Sequence, residues 1–165
     1  MKFTIAIIVL FSLLLDLILA KTFTQCELAR EISNLFDMRY EEIQIWVCIA
    51  RRSDYDTSNK QTALGSYDRG IFSINDRYWC SHGEDREEHN ICEVPCSELN
   101  SDDITASVNC ARRIYKGGDN TYVMWGNLGE KCETRKPDLS NCFESENKSG
   151  NKSEINSENN NNKFL

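Results

Sequence analysis

Thiols and carboxylates are the side chains in this sequence whose types and spacing could do chemistry. Eight cysteines occur in 165 residues. Cys92-x-x-x-Cys96, taken alone, is half of a metal-binding pattern, because two thiolates at that spacing can share one tetrahedral ion. The other half is missing: His82 and His89 are the only histidines, both are isolated in polar sequence, and both read as surface residues. Disulfides are the better chemistry for an even count of thiols in a short chain, but four bridges allow about 105 connectivities and spacing selects none of them. Among the carboxylates, Asp54 and Asp56 lie in a polar stretch. Asp68 reads by itself as a hairpin-turn aspartate, and Asp102-Asp103 as first-turn charges of a helix. No metal and no organic cofactor is called for.

These residues need elements to hold them. Leu28, Ile32, Leu35 and Phe36, with Ala29, recur at helical spacing directly after Cys26. Ile43, Trp46, Val47 and Ala50 form a second helical face, acidic at its start (Glu41, Glu42) and basic at its end (Arg51, Arg52), an order that suits the helix dipole. After the polar run from Ser53 to Gly65, short segments around Ser66 and Gly70 read as hairpin material. A third helix is predicted with Ser101 as N-cap, Ile104, Val108, Ala111 and Tyr115 on one face, and Gly117-Gly118 as its stop. Helices flanking a small strand-and-loop insert describe an α+β domain.

The two ends read differently. Residues 1–20 have a basic start, a nearly continuous apolar run from Phe3 to Leu19 and a small residue, Ala20, at a plausible cleavage point. The run is short for a bilayer span of about 20 residues and contains Asp16, so it reads as a signal peptide with Lys21 as the first mature residue. Residues 143–165, rich in Asn, Ser and Glu, offer almost nothing to bury and read as a disordered tail. Within it, Asn147 and Asn151 head glycosylation sequons. A secreted, extracellular protein is expected. Net charge of -7 disfavours nucleic acid as a partner.

Longer motifs carry a resemblance. Cys26-Glu27-Leu28-Ala29-Arg30, Trp46-Val47-Cys48, the run Ser66-Tyr67-Asp68-Arg69-Gly70-Ile71-Phe72-Ser73-Ile74-Asn75, Tyr78-Trp79-Cys80, Pro95-Cys96 and Asp102-Asp103-Ile104-Thr105 resemble the C-type lysozyme and α-lactalbumin family in its insect-like form, over residues 21–142. The resemblance implies pairing of Cys26 with Cys142, Cys48 with Cys132, Cys80 with Cys96 and Cys92 with Cys110. It also implies a helical lobe and a small antiparallel β-lobe with a glycan cleft between them, the central bridges tying the lobes down. Each bridge would contribute about 2–4 kcal/mol through the unfolded state.

The family is the type example of retaining glycoside hydrolysis, in which a protonated Glu donates to the leaving oxygen and a nearby Asp is nucleophile or stabiliser. The resemblance puts Asp68 in the Asp slot. The Glu slot departs from the pattern: Cys48-Ile49-Ala50-Arg51-Arg52-Ser53 places Arg52 or Ser53 where the acid is expected, and no Glu occurs between Glu42 and Glu84. Arginine stays charged and serine is too weak an acid to donate near neutrality. A stand-in such as Asp54 or Asp56 would have to lie roughly 5–5.5 Å from Asp68 in apolar surroundings, which Arg51 and Arg52 do not offer. Asn75, Tyr78, Trp79 and Tyr122 take positions where the family contacts sugars. The calcium ligands of some members are not matched, since Ser107 and Val108 stand where later acidic ligands would be. The expectation is a monomeric, secreted lysozyme-like protein recognising β-1,4-linked N-acetylhexosamine glycans of peptidoglycan or chitin type, with hydrolysis lost or weak. An active antibacterial lysozyme using a substitute carboxylate, and an adhesion or interaction protein, are the alternatives.

Overall fold

The computed structural model describes residues 20–144 apart from 59, 63–64 and 84–88. The expected signal peptide (Ala20 aside), the sequons at Asn147 and Asn151, and the tail beyond Glu144 lie outside the described residues. In chain order the elements are α1 (Gln25–Leu35), α2 (Tyr40–Ala50), a 3-10 turn (Arg51–Ser53), β1 (Lys60–Gln61), β2 (Tyr67–Arg69), β3 (Ile74–Asn75), α3 (Asp76–Trp79), α4 (Cys96–Leu99), α5 (Thr105–Gly117), a second 3-10 turn (Val123–Trp125) and α6 (Asn127–Thr134). The chain divides into two compact units, Met1–Thr22 with Asp56–Ala111 and Phe23–Tyr55 with Arg112–Leu165, and the second division falls inside α5.

The first unit holds all three strands. They form an antiparallel sheet in the order β1-β2-β3, with Asp68 opposite Lys60 on one side and Asn75 on the other. The β2–β3 turn closes tightly because Gly70 takes φ +61° and its N–H donates to Asn100 Oδ1 at 3.1 Å; a Cβ there would overlap the Leu99 carbonyl. Ser107 Oγ donates to that same Leu99 oxygen at 2.8 Å. Ile71, Phe72, Ile74, Leu99, Ile104 and Val108 are fully or almost fully buried and form the apolar interior here. Cys80 joins Cys96, and Cys92 joins Cys110 on α5.

The second unit is helical. A capping box starts α1: Glu27 N–H donates to Thr24 Oγ1 at 3.2 Å, and Thr24 N–H donates to Glu27 Oε2 at 2.7 Å. Leu28, Ala29 and Ile32 are buried as expected, whereas Leu35, on the last residue of the helix, is 44% exposed. Every residue of α2 from Ile45 to Ala50 is buried, so its second half is apolar all round and belongs to the core. Cys48 bridges it to Cys132 on α6, and Cys26 on α1 bridges to Cys142. A helical turn covers residues 140–144, and the Phe143 ring meets Tyr40 edge-on with centroids 6.0 Å apart.

The four disulfide pairings are those the resemblance implied. One expectation changes. α5 begins at Thr105, four residues after Ser101. The reason is local competition: Asp103 N–H donates to Ser101 Oγ at 3.2 Å and Thr105 N–H to Asp103 Oδ1 at 2.9 Å, side-chain turns that replace the first helical turn. His82 is at the surface, as expected, and its Nε2 lies 3.0 Å from Asp76 Oδ2.

Candidate functional site

In the first unit the sheet presents Asp68 half-buried on its central strand. Asn75 Nδ2 donates to Asp68 Oδ1 at 3.3 Å and to Ser66 Oγ at 2.9 Å. Asn75 also caps α3, its Oδ1 accepting from Arg77 N–H at 3.2 Å. The sequence therefore brings Asp68 and Asn75 into contact through strand register, and Asn75 then starts the short helix that carries Tyr78 and Trp79. The Tyr78 carbonyl accepts from Ile91 N–H at 3.1 Å and the Trp79 carbonyl from Cys92 N–H at 2.8 Å, which pins that helix to the segment before the Cys92 bridge. Tyr78 is 45% exposed and its ring stacks on His89, centroids 6.0 Å apart at 23°. Trp79 is half-buried.

One residue that the sequence reading passed over organises this unit. Asp76, 5% exposed, accepts from Tyr67 N–H at 2.9 Å, from Arg69 Nη2 at 2.8 Å and Nε at 3.2 Å, and meets His82 Nε2 at 3.0 Å. Burial alone would raise its pKa, but the bonds from Tyr67 and Arg69, the charge of Arg69 and the bond to His82 together hold it below the ordinary carboxylate value. Tyr67 and Arg69 flank Asp68 on β2, so Asp76 fixes the strand on both sides of that carboxylate. In sequence Asp76 looks like an N-terminal helix charge; no spacing rule marks an acid as buried.

In the second unit the expected acid slot lies at the end of α2. Arg52 is exposed there, and Ser53 is buried with its Oγ donating to Ala50 O at 2.8 Å. The 3-10 turn is closed by two left-handed residues, Asp54 at φ 57° and Tyr55 at φ 61°. Asp54 is exposed. Asp56, in the first unit, accepts from Ser58 N–H at 2.6 Å, a turn-stabilising role. Trp46 sits edge-on to Tyr115, Tyr122 and Trp125, centroids 5.1 to 6.4 Å apart, so Trp46 and Trp125 are core residues as expected. Tyr122 is 4% exposed in this cluster, and burial followed by Tyr115 pushes its hydroxyl pKa up. Of the four expected sugar contacts it is therefore the least accessible. Gly129 packs against the Tyr122 backbone so closely that a Cβ there would overlap its carbonyl.

Asp102 and Asp103 use their oxygens on the protein. Asp102 Oδ1 accepts from Lys21 N–H and Thr57 Oγ1, and the bonds from Thr105 hold the Asp103 carboxyl below its ordinary pKa. No group of three or more metal-ligating side chains occurs among the described residues.

Comparison with known proteins gives concordant matches. Residues 21–142 match the profile of the C-type lysozyme/alpha-lactalbumin family. The chain is 41% identical over 122 residues to "Lysozyme C, milk isozyme" of Bos taurus, covering 70% of this chain and 80% of that protein. It is likewise 41% identical over 127 residues to "Lysozyme" of Bombyx mori, covering 74% and 88%. Among solved structures it is similar to a lysozyme from Litopenaeus vannamei, with TM-score 0.61 and 36% identity, covering 76% of this chain and 97% of that one.

Proposed function

Because the chain belongs to the C-type lysozyme/alpha-lactalbumin family, we propose that it is a secreted member that recognises β-1,4-linked N-acetylhexosamine glycans but hydrolyses them weakly or not at all. The observation that carries this reading is the end of α2. The proton donor of retaining hydrolysis has to be a carboxylic acid kept neutral by apolar surroundings. Here the two candidate positions hold a guanidinium, Arg52, and a buried hydroxyl, Ser53, that is bonded to Ala50 O. A guanidinium remains cationic throughout the working pH range, and a serine hydroxyl does not release its proton to a glycosidic oxygen near neutrality. Asp68 supplies only the anionic half of the chemistry. Support for retained recognition is the exposed ring of Tyr78, next in sequence to the half-buried Trp79, an aromatic surface of the kind on which sugar rings stack.

Four disulfides suit an oxidising compartment, and no helix among the described residues is long and apolar enough to cross a membrane. Peptidoglycan and chitin fragments are the expected ligands, bound by a monomer. Clearing of a bacterial wall suspension tests the reading: at equal concentration the rate should fall at least about a hundredfold below that of the Bombyx mori relative, the range that loss of a general acid produces. A comparable rate would overturn it. A second reading, full lysozyme activity through a substitute carboxylate, draws on the 41% identity to proteins named lysozyme. It requires that Asp54→Asn and Asp68→Asn each abolish a measurable wall-clearing rate. An adhesion or interaction role without glycan recognition would show as no saturable binding of chitin oligomers.

A further inference from the structure

Asp102 holds its oxygen for an atom that neither the sheet nor α5 supplies. Lys21 N is 2.8 Å from Asp102 Oδ1 and 3.1 Å from Thr57 Oγ1. Thr57 Oγ1 donates to the same Asp102 oxygen at 3.0 Å, which turns its lone pairs toward Lys21 N, and Thr57 N–H donates back to Lys21 O at 3.0 Å. Thr22 and Asp56 form a β-bridge directly beyond. Thr57 is fully buried, so its hydroxyl is a fixed part of this arrangement. A peptide nitrogen has one proton and no charge, yet two acceptors converge on this one and one of them is an anion. An ammonium has three protons and a positive charge, and it uses both acceptors fully.

We propose that Asp102 and Thr57 form a seat for the α-ammonium group of a chain processed to begin at Lys21. Processing is hydrolysis of the Ala20–Lys21 amide by a peptidase. Water adds to the Ala20 carbonyl carbon and the C–N bond breaks. The leader leaves with a carboxylate, and the Lys21 nitrogen takes up protons to become –NH3+. The seat then makes the folded state sensitive to where that cut falls, since one residue left in front of Lys21 restores a neutral amide opposite Asp102. The inference is independent of glycan binding and of hydrolysis.

The test expresses the full chain in secreting cells in four forms: unaltered, with one Gly inserted between Ala20 and Lys21, with Asp102→Asn, and with both changes. Amino-terminal sequencing of the unaltered product should start at Lys21; a start elsewhere overturns the proposal. In urea unfolding, Asp102→Asn should lower the folding constant of the Lys21-start protein by about fivefold, the upper range for a solvent-exposed ion pair. It should leave the Gly-extended protein within about twofold. Equal loss in both backgrounds would show that Asp102 does not act through the amino group, and would overturn the proposal. If Asp102→Asn prevents folding, acylation of the α-amine reads the seat directly in the unaltered protein. The folded chain should react about fivefold more slowly than the reduced, unfolded chain, and equal rates would contradict the seat.

Discussion

Asp76 is the residue on which the presentation of Asp68 depends. It binds the backbone of Tyr67 and the guanidinium of Arg69, the two neighbours of Asp68, while nearly excluded from water. Asp76→Asn keeps the shape and removes the charge, leaving the half-buried Arg69 without its ion partner; the loss should be about 1–3 kcal/mol, the range for a hydrogen bond between charged groups, to be read by urea unfolding. The sign with pH follows from a folded pKa below the unfolded value of about 3.9. The contribution of Asp76 is fully present above the unfolded pKa and is lost as pH falls through the lower folded one. Acid unfolding of Asp76→Asn should therefore show a smaller pH slope below about pH 4 than the unaltered protein. At the ligand side, Tyr78→Ala should weaken chitotriose binding about five- to tenfold by calorimetry while leaving the melting temperature nearly unchanged, because the ring is largely solvent-facing. Asp68 and Asn75 were singled out by the motif that contains them. Asp76 and His82 were not, since each has an ordinary surface explanation in sequence and their pairing is set by tertiary contact.

Among the elements, the helices were legible where apolar periodicity is strong, as in α1 from Leu28, Ala29 and Ile32 and in α2 from Ile43, Trp46, Val47 and Ala50. The start of α5 was not. Ser101-Asp102-Asp103 has the composition of an N-cap and first turn, but Asp103 bonds its own turn and Asp102 is engaged by Lys21 and Thr57, partners distant in sequence. The β2–β3 turn carries the tightest demand in the fold. Gly70→Ala would have to relieve both a positive φ and an overlap with the Leu99 carbonyl. It should destabilise the protein by more than the roughly 1 kcal/mol of the conformational effect alone, with the melting temperature as the readout. Gly65, equally positive in φ but with open space at its Cβ, is the control: Gly65→Ala should cost only the conformational part.

For the molecule as a whole, connectivity was the part the cysteine spacing left open and the family resemblance supplied. The bridges differ in the chain they enclose, 116 residues for Cys26–Cys142 and 16 for Cys80–Cys96. Replacing Cys26 and Cys142 by Ala should therefore lower stability by about 1–2 kcal/mol more than replacing Cys80 and Cys96, measured by denaturant unfolding. Family membership fixes the fold, whereas activity turns on single side chains placed on it. The most direct measurement incubates chitohexaose with the unaltered protein and with Asp68→Asn, counting cleaved product by mass spectrometry and bound ligand by calorimetry in the same samples. Saturable binding to the unaltered protein is predicted, with cleavage at least about a hundredfold slower than by the Bombyx mori relative. Cleavage at a rate comparable with that relative, abolished by Asp68→Asn, would contradict it.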